Sequence, residues 1–464
     1  MAEPHHTDER PFPRALADGR AIQAAIAAGE ATRAQRLDIP RIRAVGARHR
    51  VFSALRLDEA QRELVAADHR FGSALRSPVD GLFVTIKGNI PRRGMPWTEG
   101  SRAYRDRIAE GTAAAVLRLE DAGAVTIGCT TLTELAMYAP DNPFEPVALN
   151  PYASHRTPGG SSAGAGVAAA LGLAEINLGT DAGGSIRNPA IHCGVVGFKP
   201  SLERWSLDGV TRYAPDLDTL GVACRSVEDV VAVDAVLSHP GASAPPTHPL
   251  RLRVPERLLA SCDAATRRLF DVALRSLEEG GLPVDTITIE SWAAGEAAAG
   301  IVSRFQGARR VDPALRGRLS PGLADRLALA DAIGEGEAQA ARAACAALAD
   351  ELATRLAPGD VVVTPGWPFR APRIRQTHVV VAGRRLPMDP ARNVFVRAAN
   401  AARAPALVLP AGFYPGCVPF GLQLMAEEGA DARVLEAGRV VAGVLSPGIG
   451  DAASGTRGDD GSRG

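Results

Sequence analysis

Residues 157–187 contain two clusters of glycine and serine, which read Thr157-Pro-Gly-Gly-Ser161-Ser162-Ala-Gly-Ala-Gly166 and Gly179-Thr-Asp-Ala-Gly-Gly-Ser185-Ile-Arg187. A lysine lies well upstream, in Gly81-Leu-Phe-Val-Thr-Ile-Lys87-Gly88. A serine hydroxyl is a weak nucleophile until a base removes its proton. A buried lysine can be that base, because desolvation favours its neutral amine. The pattern therefore favours a Lys–Ser–Ser relay in which one serine carries the proton from the other to Lys87.

Each of these features also has a purely structural interpretation. The glycines before Ser185 allow a sharp turn that points backbone N–H groups at one spot, as an oxyanion hole requires. Taken alone, however, they fit a glycine turn with an incidental serine. Gly159 and Gly160 could belong to a flexible linker, although apolar sequence resumes directly after them. Lys87 by itself is typical of the edge of a strand, where its amine reaches solvent.

Several linked motifs favour the catalytic interpretation. The stretch from Pro158 to Pro200 resembles the signature of the amidase signature family of serine hydrolases. Five other segments resemble further motifs of that family and follow one another in the family's order. They are Pro78–Lys87, Gly123–Glu134, Leu217–Asp229, Ala404–Gly412 and Val418–Leu424. The resemblance extends over roughly residues 41–439. It implies an α/β fold, with a central mixed β-sheet flanked by helices on both faces.

The resemblance also implies roles for individual residues. Ser185 corresponds to the nucleophile and Ser161 to the bridging serine, whose preceding peptide bond is typically cis in the family. Lys87 corresponds to the base. The expected oxyanion hole is the backbone of Ala182, Gly183 and Gly184. Residues expected to brace the site are Ser162, Asp181 and Arg187.

The sequence departs from the family pattern at three positions. Gly88 stands where the family usually has an acidic residue, so a group that would orient Lys87 is absent. Ala163 and Ala165 stand where glycine or serine is common, and because they are small we expect the same backbone course.

Loops from Met137 to Asn150 are among the least family-like parts, and Met137 and Tyr138 are predicted to line the substrate pocket.

The predicted function is hydrolysis of the C–N bond of a small-molecule carboxamide through an acyl-enzyme on Ser185. No cofactor or metal is expected, and a homodimer is possible. The first alternative is a glutamine-dependent amidotransferase A-type subunit that releases ammonia for a partner. The second is a catalytically silent binding protein with the same fold, which the presence of Lys87, Ser161 and Ser185 disfavours.

Two other motifs compete with this interpretation. Residues 160–164 fit the G-x-S-x-G elbow of α/β-hydrolases, with Ser162 as the nucleophile, but that elbow must follow a strand directly. Residues 164–169 weakly fit a dinucleotide-binding fingerprint, which needs a preceding strand as well. The segment before both, residues 153–159, has the composition of a loop. The nine histidines show no metal-ligand spacing.

Composition narrows the class of protein further. Lysine plus arginine and aspartate plus glutamate both number 52, so nothing favours a nucleic-acid partner. No run of eighteen apolar residues predicts a membrane span, and the polar N-terminus does not resemble a signal peptide. The six cysteines are scattered without C-x-x-C spacing, which is typical of reduced thiols. We therefore expect a cytoplasmic location.

The resemblance implies one amidase domain, and periodicity and composition divide it into five consecutive segments. They are an N-terminal helical arm (1–75), the signature core (76–249) with a linker at Pro240–Pro249, a helical lobe (250–356), a C-terminal return to the sheet (357–446) and a disordered tail (447–464). Predicted strands include Leu82–Ile86, Ala124–Ile127 and Glu175–Leu178, and predicted helices include Leu57–His69, Val167–Leu173 and Thr266–Glu279. A last helix is expected to end near Val444.

Overall fold

The computed structural model describes residues 18–454 except 138–141, 240–246, 382, 389–390 and 392. Strands and helices are mixed along the chain. The strands are β1 (Phe52–Leu55), β2 (Phe83–Lys87), β3 (Val125–Thr130), β4 (Ile176–Asp181), β5 (Val196–Lys199), β6 (Thr219–Cys224), β7 (Arg251–Val254), β8 (Val284–Thr286), β9 (Asp360–Pro365), β10 (His378–Val381), β11 (Arg384–Pro387), β12 (Ala406–Tyr414) and β13 (Val418–Met425). The helices are α1 (Gly19–Ala27), α2 (Ile39–Arg48), α3 (Leu57–Phe71), α4 (Ala114–Asp121), α5 (Ala163–Ala170), α6 (Arg187–His192), α7 (Val227–Leu237), α8 (Ala264–Glu279), α9 (Trp292–Arg310), α10 (Pro321–Asp331), α11 (Glu335–Arg355), α12 (Val396–Ala401) and α13 (Asp431–Ser454).

Eleven of the described strands form one mixed sheet in the order β1-β3-β2-β4-β6-β5-β12-β13-β9-β7-β8. Strand β2 is parallel to β3 and β4, and β7 is parallel to β8 and β9. The middle of the sheet, from β4 to β9, is antiparallel. Strands β10 and β11 pair as a separate hairpin. The predicted α/β fold with a central mixed sheet is therefore confirmed.

Helices cover both faces of this sheet. Successive residues of a strand point to opposite faces. In β12, Leu407 and Leu409 pack in one apolar cluster with α4, α7, α8 and α13, whereas Val408 packs on the other side with α5 and α6. A further apolar cluster joins α9, α11 and α12 beside the sheet. Burial on both faces accounts for the nearly continuous apolar runs of the central strands.

The topology brings the motif residues together at the ends of two parallel strands. Strands β2 and β4 are neighbours, with Ile86 opposite Leu178. Because the carboxyl ends of parallel neighbours meet at one edge, Lys87 at the end of β2 lies beside Thr180 near the end of β4. Helix α5 begins directly after the two serines, and it packs closely on β4. A Cβ on Gly179 would lie 2.7 Å from Ser162 Oγ, so glycine permits this approach.

The N-terminal arm (1–75) and the lobe (250–356), which were predicted to be helical, contain strands as well as helices. Strand β1 forms one edge of the sheet, and β7 and β8 form the other. These strands have only three or four residues each, too few for periodicity to distinguish them from loops. They are strands because a neighbouring strand offers backbone partners, which the local sequence does not reveal.

Two helices also differ from the predicted bounds. Helix α5 covers Ala163–Ala170 instead of Val167–Leu173, because its glycines conceal a helix start. Helix α13 continues to Ser454, beyond the end predicted near Val444 and into the segment predicted to be disordered. Most of the predicted linker, residues 240–246, and the last ten residues lie outside the described part, and the domain division otherwise stays a prediction. Among the described helices, none is long and apolar enough to cross a membrane.

Candidate active site

The side chain of Lys87 is fully buried at the end of β2. Its Nζ lies 2.6 Å from Ser161 Oγ and 2.8 Å from Thr180 Oγ1. Asn89 Nδ2 donates to the same threonine oxygen at 3.3 Å. The hydrogen-bond partners of the amine are hydroxyl groups without charge, so they do not require a protonated lysine.

The electrostatics of the site keep part of Lys87 neutral near pH 7. Burial lowers the pKa of Lys87 to about 7, although the carboxylates of Asp218, Asp181 and Glu99 act in the opposite direction. Burial also raises the pKa of Asp218 to about 6. Both shifts favour uncharged forms, because the interior solvates a charge poorly. A neutral amine of this kind can accept a proton from a neighbouring hydroxyl.

The two adjacent serines at the start of α5 have different surroundings. The Gly160–Ser161 peptide bond is cis, as the family resemblance implies. Ser161 is 3% exposed and directs its hydroxyl towards Lys87. Ser162 is fully buried, and its hydroxyl donates to the carbonyl oxygen of Thr180 at 3.3 Å while its N–H donates to the carbonyl oxygen of Ser185 at 3.0 Å. Ser162 therefore braces the loop that carries Ser185.

Ser185 lies in the loop between β4 and α6, and it is half-buried. It lines the same cavities as Ser161, and its hydroxyl forms no hydrogen bond with any described residue. Of the predicted relay, only the contact between Lys87 and Ser161 is hydrogen-bonded here. Catalytic hydrogen bonds often tighten only when a substrate is bound, so this geometry is compatible with the predicted relay.

The three predicted oxyanion donors, Ala182, Gly183 and Gly184, differ in whether their N–H groups already have an acceptor. Gly184 has φ +103°, and its N–H donates to Asp181 Oδ1 at 2.8 Å. That N–H is therefore already occupied. The N–H groups of Ala182, Gly183 and Ser185 have no acceptor within the described part of the chain. They remain able to donate to a substrate oxygen.

A buried ion pair fixes the two ends of this loop. Arg187 donates two hydrogen bonds to the Asp181 carboxylate, one from Nη2 to Oδ1 at 2.9 Å and one from Nε to Oδ2 at 3.0 Å. Its remaining contacts are with the carbonyl oxygen of Val396 at 2.5 Å, Gln423 Oε1 at 2.8 Å and Asn400 Oδ1 at 2.6 Å. Burial alone would raise the pKa of Asp181, but the Arg187 charge and these hydrogen bonds hold it well below its usual range. The loop with Ser185 is thus held by charge-assisted hydrogen bonds.

A cavity of about 460 Å³ opens in front of the two serines, between them and helices α9, α10 and α12. Its charged lining residues are Asp218, Glu296, Arg304, Arg326 and Arg397. Arg397 Nη1 lies 2.8 Å from Glu296 Oε1. Of the two residues predicted to line the substrate pocket, Met137 lines this cavity and Tyr138 lies outside the described residues.

The sequence interpretation missed four polar residues of the site. Thr180 and Asn89 lie within or beside the quoted motifs, and Asp218 lies within the segment Leu217–Asp229. Asn400 donates to Asp181 Oδ1 at 2.9 Å from the distant helix α12. Thr180, Asn89 and Asp218 could have been found from the sequence, because they lie in or beside motifs that resemble the family. Nothing in the local sequence relates Asn400 to Ser185.

The competing motifs do not fit the structure. No strand leads into Ser162, and its hydroxyl is buried against Thr180 instead of facing a cavity. The α/β-hydrolase elbow and the dinucleotide fingerprint both need that strand, so both interpretations are wrong. Within the part of the chain that the structure describes, no group of three or more His, Cys, Asp or Glu side chains could hold a metal ion.

Comparison with known proteins agrees with this geometry. The family described as Amidase matches residues 36–435. The chain belongs to the amidase family. The A-type subunit of the glutamyl-tRNA(Gln) amidotransferase from Thermus thermophilus is 34% identical over 406 residues, which are 78% of this chain and 84% of that protein.

Solved structures of the family show the same fold. A crystal structure of an amidase is 30% identical with a TM-score of 0.86, and the match covers 92% of this chain and all (100%) of that one. The A-type subunit of the glutamyl-tRNA(Gln) amidotransferase from Thermotoga maritima is 26% identical with a TM-score of 0.68, covering 82% of this chain and 90% of that chain. Both amidases and amidotransferase components are therefore among its relatives.

Gly88, where the amidase family usually has an acidic residue, faces an apolar neighbour. Its N–H donates to the carbonyl oxygen of Thr130 at 3.2 Å. A Cβ on Gly88 would lie 2.9 Å from Leu132 Cδ2, and Leu132 is fully buried. Gly88 does not line the cavity in front of Ser185. The space that an acidic side chain at position 88 would need is therefore filled by Leu132.

Gly88→Asp is expected to lower the free energy of unfolding by about 1–3 kcal/mol, because it overpacks Leu132 and buries a carboxylate. Gly88→Ala introduces the same Cβ without the charge and is expected to cost less. Urea denaturation of the two variants measures the difference. Equal stability of Gly88→Asp and the unaltered protein would contradict this account.

Proposed function

We propose that the chain cleaves the C–N bond of a carboxamide through an acyl-enzyme on Ser185. The observation that carries the proposal is the buried contact of 2.6 Å between Lys87 Nζ and Ser161 Oγ, beside a cavity that Ser161 and Ser185 share. In its neutral form, Nζ donates to Thr180 Oγ1 and can accept the proton of Ser161. Ser161 in turn takes the proton of Ser185 as that oxygen attacks the carbonyl carbon.

The negative charge that develops on the carbonyl oxygen needs preorganised donors. The unoccupied N–H groups of Ala182, Gly183 and Ser185 are the proposed oxyanion hole. The proton then returns through Ser161 to the leaving nitrogen, and the amine or ammonia departs. Water hydrolyses the acyl-enzyme in the second half of the reaction.

The charges of the cavity support a substrate that carries a carboxylate. Among the described lining residues, three are arginines and two are carboxylates, namely Glu296, which contacts Arg397, and Asp218, whose pKa is raised to about 6. Arginine binds carboxylates through two parallel hydrogen bonds. We therefore propose a small amide acid as the substrate class, a class that includes glutamine.

Arg326→Gln is expected to raise KM for succinamate by about 10–100-fold, because a hydrogen bond to a charged group contributes about 1.5–3 kcal/mol. Butyramide has a chain of the same length with a methyl group in place of the carboxylate, and its KM should change little. Steady-state ammonia release with both amides provides the measurement. Arg318→Gln, at an exposed arginine that does not line the cavity, is the matched control. An equal rise of KM for both amides would contradict carboxylate recognition.

A second candidate function is that of an amidotransferase A-type subunit, which uses the same chemistry but delivers ammonia to a partner-bound acceptor. The Thermus thermophilus relative favours it, whereas the higher TM-score of the solved amidase favours a stand-alone hydrolase. Ammonia release by the isolated chain from a panel of amides, glutamine included, tests cleavage itself. Turnover without a partner supports the hydrolase, and turnover that requires amidotransferase partner proteins supports the second candidate. If neither turnover nor acylation occurs under either condition, the result supports the alternative of a catalytically silent binding protein.

A further inference from the structure

A second, smaller cavity also adjoins the catalytic serines. Its volume is about 60 Å³, and Ser161, Gly183 and Ser185 line both it and the larger cavity. His192 at the end of α6 and Trp367 after β9 line only the smaller cavity. We call it the His192 cavity.

The His192 cavity is surrounded by polar atoms that have no protein partner. Both ring nitrogens of His192, Trp367 Nε1, Asn188 Oδ1 and Asn393 Oδ1 are buried without a hydrogen bond to any described residue. Buried polar atoms in native proteins are nearly always paired with protein or ordered water, since an unpaired one costs about 1–3 kcal/mol. Five such atoms around one small space indicate a ligand with both donors and acceptors.

The described wall of this cavity is uncharged and partly aromatic. Burial lowers the pKa of His192 to about 3, so the imidazole is neutral with one donor and one acceptor nitrogen. The His192 ring packs edge-on against Trp367 with centroids 4.8 Å apart, and Trp367 packs in the same way on Phe369 at 6.0 Å. None of the described lining residues carries a charge, in contrast with the larger cavity.

Size and chemistry together select the ligand. A water molecule occupies about 30 Å³ in the liquid and makes about three hydrogen bonds when buried. A space of about 60 Å³ therefore holds about two waters, and the five polar atoms supply the partners they need. The His192 cavity is much smaller than the larger cavity of about 460 Å³, to which we assign the amide substrate.

We propose that the His192 cavity holds the water that hydrolyses the acyl-enzyme, with His192 and Trp367 as positioning residues. This inference rests on the proposed function of Ser185. The water oxygen forms a bond to the acyl carbon, and its proton passes to Ser161 and Lys87. The bond between the acyl carbon and Ser185 Oγ then breaks, Ser185 recovers a proton from the relay, and a carboxylic acid leaves through the larger cavity. The stored water thus enters from the His192 cavity, while the leaving amine departs through the larger one.

The test measures how the acyl-enzyme divides between water and an added nucleophile. p-Nitrophenyl acetate, and the best amide found in the panel, supply the acyl group. O-benzylhydroxylamine is too large for the His192 cavity, so it must attack from the larger one. His192→Phe removes both ring nitrogens, and the ratio of trapped product to acid is expected to rise about three- to tenfold, the effect of one or more lost hydrogen bonds. The deacylation rate should fall by the same factor, and so should kcat if deacylation is the slow step. The ratio kcat/KM should stay unchanged, because it reports acylation.

Two further variants separate positioning from general damage. Trp367→Phe removes only Nε1 and should shift the ratio in the same direction, and it keeps the test open if His192→Phe does not fold. His192→Gln keeps polar atoms at the cavity and should restore much of the original ratio. An unchanged ratio in His192→Phe or Trp367→Phe, or a loss confined to kcat/KM, would overturn the inference. Mass spectrometry of the unaltered protein detects the acyl adduct on Ser185. If no adduct forms there, the proposed function is overturned instead.

Discussion

Ser185→Ala is expected to abolish amide cleavage, with a loss on the order of 10⁵–10⁶ in kcat if nucleophile removal acts as it does in other serine hydrolases. The Ser185 hydroxyl is half-buried and forms no hydrogen bond with the described residues, so the melting temperature should hardly change. Ammonia release and thermal denaturation of the same preparation measure the two effects separately.

Ser162→Ala is the matched control for that experiment. Its hydroxyl is buried and donates to Thr180, so its loss should reduce stability while labelling of Ser185 by a fluorophosphonate probe persists. Labelling at Ser162 in the unaltered protein, or turnover by Ser185→Ala, would refute Ser185 as the nucleophile.

Lys87→Ala is expected to reduce kcat/KM by about 10²–10⁴-fold, the usual contribution of general base catalysis. In the unaltered protein, activity should rise with pH through about 7 and level off above it, because only the neutral amine can accept a proton. Below that pKa, each unit of pH should reduce the rate about tenfold, since the neutral fraction falls tenfold. Steady-state rates from pH 5 to 9 measure the profile.

Lys87→Arg distinguishes a base from a structural cation. Arginine keeps the positive charge at all accessible pH values but cannot act as a base. Both Lys87→Arg and Lys87→Ala should therefore be nearly inactive, and neither should show the rise through pH 7. Substantial activity of Lys87→Arg would show that a positive charge suffices at this position.

Some of the site could be predicted because its chemistry is encoded by neighbours in sequence. The glycines before Ser185, the adjacent serines at 161 and 162, and the apolar strand ending at Lys87 each have a recognisable local pattern. The cis bond before Ser161 that the resemblance implies is found, and the parallel strands β2 and β4 bring Lys87 beside Thr180, where its amine also contacts Ser161. The occupied N–H of Gly184 could not be predicted, since it depends on where the Asp181 carboxylate points.

The sequence by itself determined the fold class, the family, and which lysine and serines form the candidate relay. These follow from residue type, from short-range order and from the resemblance of several linked motifs to one family. Only the tertiary structure decided the short edge strands β1, β7 and β8, the neutral environment of Lys87, and the His192 cavity. Each depends on partners that are distant in the sequence, such as Ser161 and Thr180 for Lys87, Trp367 for His192, or β7 for β8. Burial and hydrogen bonding between such distant residues exist only after the chain has folded, so no local pattern carries them.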